Sequence, residues 1–167
     1  MAANGLVHIA KQTFSAVSSV SFDDCFSSSY NVYRLQGSFN GSSSLSSVDM
    51  TLRVGGVNAT GSDYTRVVIT GDGTGITQSK NTLSVFRSFV GYTETGSRST
   101  YSEIWLFNPA DTTYTTGLAN IMYDSNGSTL TIKHTQVHAL STSYDGFSIL
   151  PQSGTITGNF NVWGLAL

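Results

Sequence analysis

The sequence closes with SGTITGNFNVWGLAL (residues 153–167), where apolar and polar residues alternate to the last positions. Phe160 and Val162 would share one face of an extended strand. Asn161 and Trp163 would point to the opposite side. Chain ends are normally the least ordered part of a domain, so this alternation predicts a last strand that is inserted between two neighbours and buries one face.

The same alternation recurs along the chain. In residues 48–54, Val48, Met50 and Leu52 share one side, which predicts a half-buried strand with Asp49, Thr51 and Arg53 facing solvent. Gly37 interrupts another such run, at a point where a bulge or a close backbone approach is expected. Further strands are predicted at residues 6–14, 17–22, 32–39, 64–70, 83–90, 103–107, 118–123, 130–137, 147–150 and 155–165.

No stretch sustains helical periodicity, and no repeat of about 20 to 50 residues is present. Many short antiparallel strands without helical crossovers enclose one core as a sandwich or barrel. We therefore predict an all-β fold, an antiparallel β-sandwich of jelly-roll-like type, formed by a single domain over residues 1–167.

Charged residues make up 11% of the chain, against about 25% in ordinary soluble domains. The 26 Ser and 21 Thr replace them as the solvated surface. A net charge of −2 without a basic stripe disfavours nucleic acid as a partner. The start of the sequence resembles neither a signal peptide nor a membrane anchor, so we expect no membrane partner. We expect synthesis in a cytosol. Cys25 lacks a disulfide partner and, beside two carboxylates, is expected to be inert.

The residues capable of catalysis are few. His134 and His138 would lie about 13 Å apart on a strand, too far to share one metal ion, so we interpret them as surface or partly covered residues, with a site shared between symmetry copies left open. GDGTG, residues 71–75, lacks the spacing of a phosphate-binding loop and predicts a tight turn. Glu103 has no obvious carboxylate partner for acid–base chemistry. We expect no enzyme activity, no cofactor and no bound metal.

Aromatic residues offer the remaining candidate contacts. The sequence pattern predicts five of them in or beside turns, where exposed rings stack on sugars or dock proteins. The alternative for each is that the ring packs on the core or its rim. The candidates for interface or glycan contact are Tyr92, Tyr101, Trp105, Tyr114 and Tyr144.

Several segments, taken in order, resemble a loosely defined family of bacteriophage virion proteins and tail-fibre modules. These segments are SVSFDDCFSSSYNVYRL, MTLRV, SDYTR, EIWLFNPADTT and SGTITGNFNVWGLA. The resemblance implies a β-sandwich or jelly-roll module that decorates capsids, forms tails and fibres, or binds host surfaces, commonly as a trimer. Predicted strands begin near Met1, which favours a free-standing subunit over the tip of a long fibre.

The first hypothesis is a phage virion structural protein, a capsid decoration or cement subunit located in the virion. Its expected partners are itself, as a trimer, and other virion proteins such as the major capsid or tail proteins. The second is a tail or fibre module that recognises host surface glycan. A glycan-processing enzyme using a carboxylate such as Glu103, and a free carbohydrate-binding module, are weaker alternatives.

Overall fold

The computed structural model describes residues 5–43, 45–71, 76–96, 98–125 and 127–166. These residues form thirteen β-strands and no helix, so no helix of membrane-spanning length and hydropathy occurs among them. The strands are, in chain order, β1 (Gly5–Val17), β2 (Val20–Phe22), β3 (Val32–Gly41), β4 (Ser47–Val54), β5 (Val57–Asn58), β6 (Tyr64–Gly71), β7 (Ile76–Leu83), β8 (Phe86–Tyr92), β9 (Thr100–Phe107), β10 (Thr115–Ser125), β11 (Ser128–His138), β12 (Gly146–Pro151) and β13 (Ile156–Ala166).

The strands form two antiparallel sheets. The long sheet has eight strands in the order β1-β13-β3-β9-β10-β11-β6-β7. The short sheet has the order β2-β12-β4-β5, and β8 pairs with β4 beside this path. The chain crosses between the sheets several times, and the inner faces of the two sheets enclose one hydrophobic cluster. The fold is the antiparallel, jelly-roll-like β-sandwich that the sequence predicts.

Aromatic rings fill much of the core. Phe22 stacks on Phe147 with the ring centroids 4.7 Å apart, and Tyr64 meets Phe86 edge-on at the same separation. Each such buried side chain stabilises the fold by about 1.5–3 kcal/mol relative to an exposed one. The rings therefore supply the burial that a chain so rich in hydroxyl groups requires.

The last strand, β13, pairs with β1 on one side and with β3 on the other, so its backbone groups are satisfied by two neighbours. Phe160 and Val162 are fully buried, as predicted. At Gly37 an added Cβ would lie 2.0 Å from Cδ2 of Phe160, so the Phe160 ring occupies the space above this glycine. The close approach predicted at Gly37 is confirmed.

Strand β4 is buried on both faces, which corrects the prediction of a half-buried strand. Asp49 and Thr51 are 5% and 2% exposed, although they point away from the core. Asp49 accepts hydrogen bonds from the Ser47 hydroxyl and the Ser88 backbone N–H. Burial of the Asp49 carboxylate is possible because neighbouring segments supply its hydrogen-bond donors and a positive charge, that of Arg87.

Strands β5 and β7 were not predicted, and the predicted strand at residues 83–90 is divided between the end of β7 and β8. Strand β7 lies at the edge of the long sheet and pairs only with β6. The turn predicted at residues 71–75 lies, after Gly71, outside the described residues, as does the final Leu167.

The histidines of β11 belong to the core, so their interpretation as surface or partly covered residues is wrong. His134 is 2% exposed and His138 is fully buried, on the same face of the strand as Ile132. His138 is stacked between Tyr64 and Tyr144, and its Nε2 lies 2.8 Å from the Tyr144 hydroxyl. Aromatic stacking and this hydrogen bond allow a polar ring to be buried there.

Candidate functional site

The long sheet presents one face to solvent, and we call it the outer face. The strand register arranges its side chains in three rows that run across the sheet. The first row is His8, Trp163, Arg34, Trp105, Leu118, Thr135 and Val67. The second is Asn161, Gln36, Glu103, Asn120, Lys133 and Ile69, and the third is Asn159, Ser38, Tyr101, Met122 and Thr131.

Arg34 lies at the centre of the first row. Its guanidinium carbon is 5.9 Å from the ring centroid of Trp105 and 5.8 Å from that of Trp163. Its Nε and Nη2 atoms contact Oε1 of Glu103 at 2.9 and 2.8 Å. Such exposed cation–π contacts contribute about 0.5–1 kcal/mol each. The two contacts from the guanidinium group hold the Glu103 carboxylate in place. Because these are the two tryptophans of the chain, indole fluorescence reports on this face alone.

A cavity of about 480 Å³ opens in the second and third rows. Tyr101, 56% exposed, forms one wall beside Glu103, and amides, a methionine and an ammonium group complete the lining. Its principal lining residues are Gln36, Tyr101, Glu103, Asn120, Met122 and Lys133. An aromatic ring among convergent donors and acceptors is the combination that binds small polar ligands such as sugars.

The far end of the outer face carries four exposed apolar side chains, with Thr131, Lys133 and Thr135 of β11 between them. Val67, Ile69, Leu118 and Met122 are 40–53% exposed and lie on β6 and β10, which are separated by one strand. We call these four residues the apolar patch. Single exposed apolar side chains are ordinary, but a group on one flat sheet face is typical of an interaction surface.

The five aromatic residues predicted as contacts lie in different surroundings in the structure. Tyr101 and Trp105 lie on the outer face, although Trp105 is in the middle of β9 and not beside a turn. Tyr114 is 55% exposed just before β10, and Tyr92 stacks on Tyr123 with the ring centroids 5.3 Å apart.

Tyr144 packs in the core, which is the alternative to a surface contact that the sequence leaves open for each ring. It is 2% exposed, so its ring is not accessible to a glycan or a partner, and the prediction of a surface contact is corrected for this residue. Its hydroxyl bonds His138, and burial raises its pKa.

The polar residues of the cavity do not form a recognisable group in the sequence. Gln36, Glu103 and Asn120 are far apart in sequence, and the strand register places them side by side. Their outward positions follow from the alternation in each strand, but their adjacency requires the strand order.

Cys25 is 4% exposed, and burial raises the pKa of its thiol to about 12. The carboxylates of Asp145, Asp23 and Asp24 raise it further, so the predicted effect of neighbouring carboxylates is correct in direction and secondary to burial. No group of three His, Cys, Asp or Glu residues in the described ranges is arranged to hold a metal ion.

No protein-family model matches the sequence, and no curated protein matches it either. Among solved structures, that of exo-inulinase from Aspergillus awamori is similar, with a TM-score of 0.45 and 12% sequence identity. The match covers 95% of this chain and 29% of the inulinase chain. A similarity at this level does not transfer an activity from one chain to the other.

Proposed function

We propose that this chain is a structural subunit of a bacteriophage virion, a capsid decoration subunit that associates with copies of itself and with other virion proteins through its outer face. The observation that carries the proposal is the apolar patch of Val67, Ile69, Leu118 and Met122 on an ordered sheet. The order of segments that resembles phage virion proteins supports the viral context.

The composition of the surface is consistent with such a role. In a particle with many copies, symmetry repeats each contact and multivalency strengthens it, so a small apolar interface on each subunit is sufficient. Ser and Thr hydroxyls keep the rest of the surface solvated without charges that would repel neighbouring copies. We infer a closed trimer as the assembling unit, in line with the resemblance.

Electron microscopy of negatively stained phage particles, labelled with gold-coupled antibody against this chain, tests the location. Label over the whole head is the expected result, and label confined to the tail end would reject the decoration role. A second arm adds purified Leu118→Ser to particles that lack the protein. It should bind more weakly than Val57→Ser, a matched control because Val57 is 67% exposed on β5 of the short sheet.

A second candidate function is recognition of a host glycan, and the cavity beside Tyr101 is the observation that favours it. Tyr101 would stack on a sugar ring while Gln36 and Asn120 bond its hydroxyls. Binding of surface glycans should quench or shift indole emission, and Tyr101→Ala should lose this response. Tyr114→Ala should retain it, because Tyr114 is equally exposed but does not line the cavity.

Absence of any glycan response would reject the second candidate and leave the structural role intact. Hydrolysis of a bound glycan that is lost in Glu103→Gln would contradict both the structural and the binding role.

A further inference from the structure

A second cavity, of about 610 Å³, is lined by residues of β4, β6 and β8 and by the segment just before β4. The turn that follows β12 closes one side of it. We call this cavity the arginine pocket, and its polar lining includes Ser46, Ser47, Arg66, Arg87, Ser88 and Gln152. None of these residues belongs to the outer face.

The pocket holds two guanidinium groups and one adjacent carboxylate, that of Asp49. This carboxylate is already used by the protein. Its Oδ1 accepts from the Ser47 hydroxyl at 2.6 Å and the Ser88 N–H at 2.8 Å, and its Oδ2 is 3.2 Å from Nε2 of Gln152 and 3.3 Å from Nε of Arg87. One positive charge is therefore left without a counter-charge among the described residues of the pocket.

Arg66 carries that charge. Its Nη1 donates to the Arg87 carbonyl at 3.3 Å and contacts the Ser88 hydroxyl at 3.5 Å, both long distances for hydrogen bonds. Its buried Nε has no hydrogen-bond partner in the described part of the chain. Burial is the main cause that lowers the pKa of Arg66. The positive charge of Arg87 acts in the same direction, and Tyr92 and the Asp49 carboxylate act in the opposite one. Such a group gains from an anion that offsets the repulsion between the two guanidinium groups and accepts hydrogen bonds from their N–H groups.

We propose that the arginine pocket binds an oxyanion group, a phosphate, sulfate or carboxylate, through Arg66 and Arg87. The planar guanidinium fork matches two oxygens of such a group. On the same wall the Ser153 hydroxyl donates to the Ser46 hydroxyl at 3.1 Å, and the O–H of Ser46 supplies a further donor. The volume exceeds that of an inorganic ion and is sufficient for a sugar that bears the group.

Titrations of the full chain followed by ¹⁵N–¹H NMR test this site. The probes are inorganic phosphate, inorganic sulfate, glucuronate and glucose 6-phosphate at constant ionic strength, with glucose as the uncharged control. Saturable shifts are expected at the amides of Arg87, Ser88 and Ser153 with at least one charged probe and not with glucose. If phosphate or sulfate binds more tightly than both charged sugars, the ligand is a free inorganic ion. If glucuronate or glucose 6-phosphate binds more tightly than the inorganic ions, the ligand is an oxyanion group carried by a sugar.

Variants assign the response to the pocket. Arg66→Gln should weaken binding at least tenfold. Arg66→Lys keeps the charge but loses the planar guanidinium group, so its affinity should lie between those of Arg66→Gln and the wild type. Arg98→Gln removes an equal charge from a side chain that is 44% exposed outside the pocket, and it should change binding less than twofold.

The proposal is overturned if no charged probe produces saturable shifts at these amides in the wild type, or if Arg66→Gln binds as tightly as Arg98→Gln. The wild-type shift map decides the question on its own if Arg66→Gln does not fold. Because the pocket and the outer face share no residue, either site can fail without the other.

Discussion

Acidification should destabilise the folded protein through His134, which β11 buries in the core. Burial lowers the pKa of His134 from 6.5 to about 3, and the positive charge of Arg66 adds to the effect. The unfolded chain therefore binds a proton that the folded chain excludes. Stability is fully present above about pH 6.5 and is lost progressively as the pH falls toward the folded pKa of about 3.

The size of the effect follows from the two pKa values. Between about pH 7 and about pH 4.5, His134 alone removes about 2.5 kcal/mol from the free energy of unfolding, a value that hardly changes if the folded pKa is a unit higher. At a denaturant slope of about 2 kcal/mol per M of urea, this lowers the unfolding midpoint by about 1 M. His138 contributes in the same direction, because burial lowers its pKa too.

Urea unfolding followed by circular dichroism at several pH values measures this dependence in the wild type, His134→Gln and His8→Gln. The amide of His134→Gln does not titrate, so this variant should lose about 2.5 kcal/mol of the pH dependence whatever its stability at neutral pH. His8, exposed on the outer face, provides the matched control. An unchanged pH dependence in His134→Gln would show that His134 is not buried in a neutral form.

Three further predictions concern packing and reactivity. Gly37→Ala should destabilise the fold by about 3 kcal/mol because its Cβ would overlap the Phe160 ring. Gly71→Ala should change stability little because, apart from the chain neighbours, no atom of the described residues lies within 4 Å of the new Cβ. Equal effects of the two substitutions in thermal unfolding would contradict this packing. Cys25 should react with a thiol reagent at about pH 8 only after unfolding, because burial raises the pKa of its thiol to about 12. Rapid labelling of the native protein would contradict the burial of this thiol. Arg34→Gln should shift indole emission and lower the free energy of unfolding by about 1 kcal/mol, and unchanged emission would mean that Arg34 does not contact the tryptophans.

The sequence was sufficient for the fold class because the buried strands alternate strongly. In β13 the alternation of Phe160 and Val162 with polar residues identified the buried face and the position between neighbours. Strand β7 escaped prediction because it pairs only with β6 at the sheet edge and its sequence, ITQSKNTL, lacks an apolar alternation. Edge strands need less burial than central ones, so their sequence signal is weaker.

Polar residues in buried positions were the main source of error. By simple alternation, His134 and His138 share a face with Ile132. The polarity of the two histidines nevertheless led to the prediction that they are exposed. Burial of His138 depends on its hydrogen bond with Tyr144, and only the fold brings these two residues together. The arginine pocket could not be found from spacing either, because Arg66 and Arg87 lie 21 residues apart on strands of different sheets.

The proposed function requires that copies of this chain associate through the outer face. Light scattering during size-exclusion chromatography, over a range of protein concentrations, measures the molar mass directly. We expect three times the monomer mass for the wild type and for Val57→Ser, and dissociation toward monomer for Leu118→Ser, which places a hydroxyl in the apolar patch. A wild-type protein that remains monomeric at every concentration, or a Leu118→Ser variant that assembles as the wild type does, would contradict the account.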